Sequence, residues 1–355
     1  MIGLEHLYAA ADLDPDEPVR RLARVLGQQM TPLVLSAAVA QGQAAGPHTA
    51  MLLDRQRQRV RLYEEVLAVV RAVADPVVLK GPVLAGLYPP DLVRPVRDLD
   101  LVVETEEELW AAARSLVDAY GATPSVFTLI RHEGVDHCLV GLDWPSDDPL
   151  CDSDFEVEIG TFAYAGDQAG IPLRVGFPSS APLAQLFAVA EERCQGPFSV
   201  KHALDCAVLL AAHPDLVTGP EAEDSIRAFH LAPEIRELVA FGTRMFGGTV
   251  PERLDALADE EQARRRDEGA VDGPSRSGGR WASADNVRFG VLLNGFTRAE
   301  ERHRAGGPVP GGELVHTPVG DYLMLDGVEV DAVDVEAARE VSADRWAAAT
   351  PTPVG

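Results

Sequence analysis

Lysine is almost absent from this chain of 355 residues: 29 of its 31 basic residues are arginine, and the two lysines are Lys80 and Lys201. Positive charge is scarce as a whole, because 56 acidic residues leave a formal net charge of −25. A surface of that charge repels polyanions and gains little from counterion release. Nucleic acid is therefore not expected as a partner, and the rare lysines become candidates for a specific role.

Cysteine is scarce as well, and no CxxC pair occurs among Cys138, Cys151, Cys194 and Cys206. Neither a zinc ribbon nor a thioredoxin-like motif is supported, and we expect thiols that are largely buried. The chain lacks a run of about 18 uncharged apolar residues, and its first residues lack the basic region of a signal peptide. These absences predict a cytoplasmic protein without a membrane partner.

Three common catalytic motifs are missing from the sequence. There is no GxxxxGK[ST] and no GxGxxG, so a P-loop or a dinucleotide-binding Rossmann site lacks its phosphate cradle. The absence of GxSxG removes the nucleophile elbow of the α/β-hydrolases.

The hydrophobic pattern predicts an α/β (α+β) fold, with a small mixed sheet flanked by N-terminal and C-terminal helical segments. We predict an N-terminal helical segment (1–75), a core that carries the sheet (76–178), a helical subdomain (179–263), a linker or mobile loop (264–282) and a C-terminal extension of unassigned role (283–355). Strands are predicted at 77–79, 98–103, 137–142, 154–159 and within 315–330. Helices are predicted at 52–74, 105–121, 182–195, 199–212 and 233–246.

The most informative motif is Asp98-Leu99-Asp100, because two carboxylates one residue apart on a strand leave it on the same face, about 6–7 Å apart. A second acidic strand carries Glu156 and Glu158. Carboxylates from neighbouring strands are suited to bind the pair of divalent cations used in phosphoryl transfer. The alternative is a solvated edge face of a sheet.

A longer pattern surrounds this motif: Val78-Leu79-Lys80-Gly81, then Tyr88, Arg94 and Asp98-Leu99-Asp100-Leu101-Val102. It resembles the hallmark of a bacterial family of uncharacterised nucleotidyltransferases in the DNA polymerase beta-like superfamily. In that family an apolar strand ends in Leu-Lys-Gly, a Tyr follows, and an Arg precedes Asp-Ile-Asp-Leu. The resemblance covers about residues 1–255.

The resemblance implies a fold of the nucleotidyltransferase type in which Gly81 begins a short helix beside a nucleoside triphosphate. It implies that Asp98 and Asp100 hold Mg²⁺ (or Mn²⁺) and that Glu156 is the third catalytic carboxylate, with Glu158 as the other candidate metal ligand. The chain departs from the pattern here, since the family usually has Asp, an apolar residue and His-Trp where this chain has Glu156-Val157-Glu158-Ile159.

The implied function is metal-dependent transfer of a nucleoside monophosphate from an NTP, such as ATP, to a hydroxyl acceptor, with release of pyrophosphate. Lys80, Arg94 and Lys201 are candidates to bind the nucleotide phosphates. The alternative for Lys201 is an exposed ion pair with Asp205 one turn later, and for Lys80 a side chain that extends into solvent. The acidic chain favours a neutral or cationic acceptor, either a small molecule or a peptide, as in natural-product modification.

Two other functions remain open. A DxD motif also serves glycosyltransferases that use nucleotide sugars, and the same fold could bind a nucleotide or peptide without turnover. Two further groups of residues are assigned structural roles. His132, Asp136 and His137 match no standard metal-ligand spacing, and a basic run on the first long helix is expected to be solvated: Arg55, Arg57, Arg59 and Arg61.

Overall fold

The computed structural model describes residues 2–269, 286–295, 297, 301, 303–309, 311–325 and 332–349, with side chains in the last of these ranges described for 333–343. Helices and a mixed sheet combine in these residues, which confirms the α/β class predicted from the sequence. Among the helices described, none has the length and apolar character needed to cross a membrane.

The helices account for most of the regular structure. They are α1 (Leu4–Ala10), α2 (Val19–Leu26), α3 (Thr31–Ala40), α4 (Pro47–Arg71), α5 (Gly81–Ala85), α6 (Glu106–Tyr120), α7 (Ala181–Glu191), α8 (Val200–Ala212), α9 (Pro220–Ala228), α10 (Ala232–Phe246), α11 (Glu252–Asp267) and α12 (Ala332–Ala349). Short 3₁₀ turns lie at Gln28–Met30 and Glu192–Cys194.

The strands of the described residues form one sheet in the order β1-β2-β5-β4-β3-β6-β9-β8-β7. Their bounds are β1 (Val77–Leu79), β2 (Asp98–Val102), β3 (Thr123–His132), β4 (Val135–Trp144), β5 (Phe155–Gly160), β6 (Val287–Asn294), β7 (Ala305–Val309), β8 (Gly312–Thr317) and β9 (Gly320–Leu325). Antiparallel pairing links β5 to β4, β4 to β3, β3 to β6, β6 to β9, β9 to β8 and β8 to β7.

The sheet has nine strands in the described residues and is larger than the small sheet predicted. Strands β3, β6 and β7 were not predicted from the sequence. The sequence of β7 is Ala-Gly-Gly-Pro-Val, which lacks the β-branched and aromatic residues that mark a strand. Segment 315–330, in contrast, does contain strand, because β8 and β9 pair between Glu313 and Met324.

The described residues divide into two compact units, each assembled from three separate stretches of chain. The first unit comprises 1–65, 78–99 and 164–280, and the second comprises 66–77, 100–163 and 281–355. Linear changes in composition do not reveal such an interleaved arrangement, since it depends on which distant stretches pack together.

The first unit is mainly helical, and its N-terminal helices share a core with α8 and α10. Leu7 and Leu22 are completely buried there, together with Leu204 on α8. Burial of apolar side chains from helices far apart in sequence is the main stabilising contribution to such a unit. The residues of this core are Leu4, Leu7, Tyr8, Leu22, Met30, Leu33, Val34, Ala37, Ala38, Tyr88, Leu92, Ala203, Leu204, Val208 and Met245.

The second unit packs α6 on the sheet through aromatic side chains. The capping box predicted for this helix is present, because Thr105 and Glu108 satisfy each other's backbone N–H groups. On its buried face the Trp110 ring meets Phe127 of β3 edge-on, with 5.6 Å between centroids. Phe127 in turn lies 4.9 Å from Tyr322 of β9. These contacts connect β9, 195 positions later than Phe127, to the central strands.

Two predictions from charge patterns require correction. Arg57 and Arg61 on α4 are exposed as expected, but Arg59 is 6 % exposed and its guanidinium lies 5.8 Å from the centre of the Tyr63 ring. A guanidinium stacks on an aromatic face more readily than its formal charge indicates. The predicted linker at 264–282 also begins too early, because α11 continues to Asp267; residues 270–282 lie outside the described residues.

None of the four cysteines forms a disulfide, and all lie in the described part of the chain. Cys138, Cys194 and Cys206 are buried as predicted, whereas Cys151 is exposed. Burial raises the pKa of Cys138 and of Cys206 to about 12, so their thiolates are rare at neutral pH. We expect the native protein to show one rapidly reacting thiol with a colorimetric disulfide reagent, and none after Cys151→Ser. Two or more fast thiols in the native protein would contradict the burial described.

A buried polar network joins α12 to the end of the sheet in the second unit. Asp321 is fully buried, lies 2.6 Å through Oδ1 from His316 Nδ1, and accepts a hydrogen bond from the Ser342 hydroxyl through Oδ2. The Asn294 amide donates to the same hydroxyl oxygen over 2.9 Å. Removing one member of a buried polar network leaves the others unsatisfied, which costs more than the lost bond.

We expect Asp321→Ala to lower the free energy of unfolding by about 2–4 kcal/mol. The matched control is Glu336→Gln on α12, since the Glu336 side chain is 68 % exposed and its ion pair in the described residues is with Arg339 three residues later. Its cost should stay within about 0.5 kcal/mol. Urea denaturation followed by circular dichroism measures both, and equal midpoints for the two variants would refute the role given to Asp321.

Candidate functional site

The turn between β1 and α5 has a backbone conformation that few residues adopt. Lys80 has φ 50° and ψ −127°, and Gly81, the first residue of α5, has φ 35°. A Cβ atom at position 81 would lie 3.3 Å from the backbone oxygen of Asp98. A residue other than glycine at positive φ costs about 1–3 kcal/mol, and it persists only where surrounding groups hold it in place.

Gln185 of α7 holds the turn on one side. Its Oε1 accepts the backbone N–H of Lys80 over 2.6 Å, and its Nε2 donates to the Val78 carbonyl over 2.9 Å. The side chain is 6 % exposed, and both ends of its amide are therefore used in the protein interior. A single buried amide thus fixes the strand end and the strained residue together.

Arg94 holds the turn on the other side. Its Nη1 donates to the carbonyl oxygen of Gly81 over 3.1 Å and to that of Pro95 over 3.3 Å. The remaining edge of the guanidinium binds Asp205 of α8 through two bonds, Nε to Oδ1 and Nη2 to Oδ2, each 2.7 Å long. The Arg94 side chain is 1 % exposed, so its guanidinium faces these protein groups.

Asp205 binds two residues of the sequence motif, Tyr88 and Arg94. The Tyr88 hydroxyl donates to its Oδ1 over 2.8 Å, in addition to the two bonds from Arg94. Burial alone raises the pKa of this carboxyl, but the charge and hydrogen bonds of Arg94 outweigh burial and lower it below the ordinary value. Asp205 therefore remains an anion in the interior, and Arg94 remains a cation.

Lys201 lies one helical turn before Asp205 on α8 and does not form the ion pair that the sequence suggested as an alternative. Its side chain is half-buried and has no hydrogen-bond or ion-pair partner in the described part of the chain. Burial lowers the pKa of the ammonium group, and the neighbouring charge of Arg94 lowers it further. The carboxylates of Asp205 and Asp98 act in the opposite direction.

Lys80 is within electrostatic range of the same ammonium group, since its charge also lowers the pKa of Lys201. Its own Nζ lies 2.5 Å from Oε1 of Glu192, in the 3₁₀ turn that follows α7. The side chains of this pair are 24 % and 20 % exposed. The two lysines of the chain therefore belong to one polar cluster. Among the residues that the structure describes, Lys80 has a carboxylate at hydrogen-bond distance and Lys201 has none.

The predicted acidic residues are found on the strands where the sequence placed them. Asp98 and Asp100 lie on β2, each partly exposed, on either side of the buried Leu99, and so leave the strand on one face. Glu156 and Glu158 alternate in the same way on β5. Glu156 is opposite Asp143 of β4, and its charge contributes, after burial, to the raised pKa of Asp143.

The carboxylates on β2 and β5 can be compared with the ligands that a magnesium ion requires. Within the ranges described, no group of three or more His, Cys, Asp or Glu side chains is arranged to hold a metal ion. Magnesium is, however, usually bound through one or two carboxylates together with phosphate oxygens of the substrate. Carboxylates such as those of Asp98 and Asp100 are the ligand type that this arrangement uses, and their role as metal ligands stays a prediction. A third protein ligand, Glu156 or Glu158, stays a prediction, and His132, Asp136 and His137 do not form a metal group either.

The first unit brings five residues predicted from the sequence into one polar cluster: Lys80, Gly81, Arg94, Asp98 and Lys201. No role was predicted for Gln185 or Glu192, and Asp205 was considered only as a partner for Lys201. A signal for Asp205 existed, because Tyr88 and Arg94 recur in the family pattern and both are bound to this carboxylate. No comparable signal marks Gln185.

Comparison with known proteins adds little to these observations. The chain matches no family model, and it matches no curated protein. Among solved structures it is similar to a protein from H. pylori described as a "putative nucleotidyltransferase", with 12 % sequence identity and a TM-score of 0.27. The similarity covers 59 % of this chain and 96 % of that chain. At this TM-score it carries no conclusion about fold or activity.

Proposed function

We propose that the protein is a nucleotidyltransferase, which transfers a nucleoside monophosphate from an NTP to a hydroxyl acceptor and releases pyrophosphate. The observation that carries the proposal is the half-buried ammonium group of Lys201, which has no partner at bonding distance in the described residues although Asp98 and Asp205 lie in its electrostatic range. A cation kept in this state costs stability, and an anionic ligand would compensate it.

The triphosphate is proposed to lie beside the Lys80–Gly81 turn. Lys201 would bind its phosphate oxygens as a compact point charge, and Lys80 would join it by exchanging the carboxylate of Glu192 for phosphate. The resemblance to nucleotidyltransferases supports this placement, because the turn is the Leu-Lys-Gly part of the shared motif.

Asp98 and Asp100 would hold Mg²⁺ (or Mn²⁺) together with the phosphate oxygens of the NTP. A magnesium ion held by these residues would neutralise phosphate charge and make the acceptor hydroxyl more acidic. Glu156 is proposed as a further ligand or as the base that accepts the hydroxyl proton, with Glu158 as the other candidate. The contribution of the chain would consist mainly of positioning and electrostatics, as is usual in phosphoryl transfer.

The acceptor is proposed to be a neutral or cationic small molecule or peptide. A net charge of −25 concentrates cations near the protein and repels anions. Aminoglycoside-like compounds and modified peptides carry both hydroxyl groups and positive charge. A gel-shift experiment with tRNA should therefore show no tight, salt-sensitive complex.

The test separates binding from turnover. Isothermal titration with the non-hydrolysable α,β-methylene analogues of the four common NTPs, each with Mg²⁺ and with EDTA, measures nucleotide affinity. A pyrophosphate assay with natural NTPs and a panel of hydroxyl-bearing cationic acceptors measures transfer. We expect Mg²⁺-dependent binding of at least one analogue and pyrophosphate release with at least one acceptor.

Nucleotide sugars complete the panel. Tight binding of a nucleotide sugar with release of nucleoside diphosphate would replace the proposal by a glycosyltransferase activity. Binding of NTP without pyrophosphate release for any acceptor would favour a nucleotide-binding protein without turnover. Absence of binding to every NTP analogue at millimolar concentration would refute the proposal.

A further inference from the structure

The polar cluster contains more buried side chains than nucleotide binding requires. Gln185 comes from α7, Arg94 precedes β2, and Asp205 comes from α8, and each is less than 7 % exposed. None of them offers a surface to a ligand. Gln185 and Arg94 contact three backbone groups of the turn: the Val78 carbonyl, the Lys80 amide and the Gly81 carbonyl. Asp205 acts on the turn through Arg94.

We infer that Gln185 and Asp205 are positioning residues that hold the Lys80–Gly81 turn in its phosphate-binding conformation, Gln185 directly and Asp205 through Arg94. The inference rests on the proposed function for the identity of the ligand. It goes beyond that function in assigning roles to two residues that would touch neither the nucleotide nor the reacting atoms.

The backbone conformation of the Lys80–Gly81 turn is held by its neighbours. Lys80 occupies a positive φ that a lysine does not adopt on its own, and the conformation must be imposed by neighbours. Gln185 imposes it by accepting the Lys80 amide hydrogen while donating to the strand residue two positions earlier. The amide suits this task, because its oxygen accepts and its nitrogen donates at two separate atoms.

Arg94 and Asp205 hold the opposite side of the turn. Arg94 reaches the Gly81 carbonyl with Nη1 only because Asp205 fixes the other edge of the guanidinium in two parallel bonds. Such bidentate pairs define the orientation of the arginine as well as its charge state. The Tyr88 hydroxyl, in turn, fixes the carboxylate. Loss of the Asp205 charge would release the guanidinium and with it the Gly81 carbonyl.

Helix α8 links the turn to the proposed phosphate ligand of Lys201. Lys201 and Asp205 lie on the same face of α8, one turn apart, so the helix that anchors Arg94 also carries the ammonium group that has no bonding partner among the described residues. The Arg94–Asp205 pair therefore sets the distance between Lys201 and the Lys80–Gly81 turn. This arrangement explains why the buried ion pair lies beside the turn rather than elsewhere in the unit.

The experiment compares Asp205→Asn with Glu234→Gln. The control breaks a similar buried pair in the same unit, in which Arg265 binds Glu234 through Nη1 and Nη2 over 2.8 and 2.9 Å, and it involves no residue of the turn. Gln185→Glu is the second variant, which retains an acceptor for the Lys80 amide but removes the donor to Val78. Each protein is measured for melting temperature, for affinity towards the α,β-methylene NTP analogue that binds the wild type best, and for hydrogen exchange of the peptide that spans residues 78–85.

We expect Asp205→Asn and Gln185→Glu to weaken nucleotide affinity by about tenfold or more and to speed exchange in the 78–85 peptide by a similar factor. Glu234→Gln should lower the melting temperature comparably, yet change affinity less than about twofold and leave exchange in that peptide unchanged. If affinity falls in all three variants in proportion to stability, Gln185 and Asp205 are merely structural and the inference is wrong.

The exchange measurement keeps the two proposals distinguishable. It is performed without nucleotide, so it reports on the turn even when the wild type binds no NTP. Failure of the wild type to bind any analogue overturns the proposed function. Unchanged exchange in the 78–85 peptide of both Asp205→Asn and Gln185→Glu overturns the positioning role. If Asp205→Asn does not fold, Gln185→Glu alone decides in the same way.

Discussion

Replacing Asp98 by Asn is expected to reduce nucleotidyl transfer by about three orders of magnitude or more, with little change in the free energy of unfolding. The reason is electrostatic: the substitution removes one full negative charge from the site proposed for the magnesium–triphosphate complex, where each loss of about 1.4 kcal/mol in transition-state stabilisation is tenfold in rate. The Asp98 side chain makes no hydrogen bond in the described residues, so the fold has little to lose. The same fall is expected for Asp100→Asn.

The control for Asp98→Asn is Asp91→Asn, which removes the same charge from an exposed position seven residues earlier. Pyrophosphate release at saturating NTP and a urea melt should be measured for each variant. Asp91→Asn should retain full activity, because long-range effects of exposed charges are screened by salt. A fully active Asp98→Asn/Asp100→Asn double variant would end the nucleotidyltransferase proposal.

Replacing Lys201 by Met is expected to have opposite effects on binding and on stability. Nucleotide affinity should fall by about 10- to 100-fold, as expected for loss of one charge-assisted bond to phosphate. The free energy of unfolding should rise by about 1 kcal/mol, since a half-buried ammonium group without a bonding partner in the described residues is replaced by an apolar side chain of similar length. Residues that serve ligands at the expense of stability show this combination.

The sign of the pH dependence follows from the direction of the pKa shift. The pKa of Lys201 is lower in the folded protein than in the unfolded chain, so the unfolded state binds more protons between the two values. Stability of the wild type relative to Lys201→Met therefore rises with pH across that window, and the advantage of the variant is largest at neutral pH. The charged groups that act on Lys201 are Lys80, Arg94, Asp98 and Asp205.

Differential scanning calorimetry at several pH values, combined with isothermal titration of the NTP analogue, measures both effects. Arg57→Met on the exposed face of α4 is the matched loss of charge and should leave affinity unchanged. Lys201→Arg keeps a positive charge but spreads it over a larger, planar group. We expect its affinity for the NTP analogue to lie between those of the wild type and of Lys201→Met. Unchanged affinity in Lys201→Met would remove Lys201 from the phosphate site.

The sequence by itself determined the class of fold and the positions of the chemically distinctive residues. Alternation around Asp98, Glu156 and their neighbours identified β2 and β5, and the Asp75-Pro76 step and the Thr105 capping box correctly separated helices from strands. These features depend on residues close in the chain, where backbone sterics and side-chain hydrogen bonds act without long-range contacts. The rarity of lysine directed attention to Lys80 and Lys201.

Only the tertiary structure decided what surrounds those residues. Asp205 binds Arg94 across 111 positions of the chain, and Gln185 holds the amide of Lys80 across 105 positions. No local pattern records such pairs, since their geometry depends on how α7 and α8 pack in the first unit. The same reason explains the missed strand β7, whose weak intrinsic preference is overridden by pairing with β8. Local periodicity specifies elements, whereas the state of a buried charge is set by groups that only the folded chain brings together.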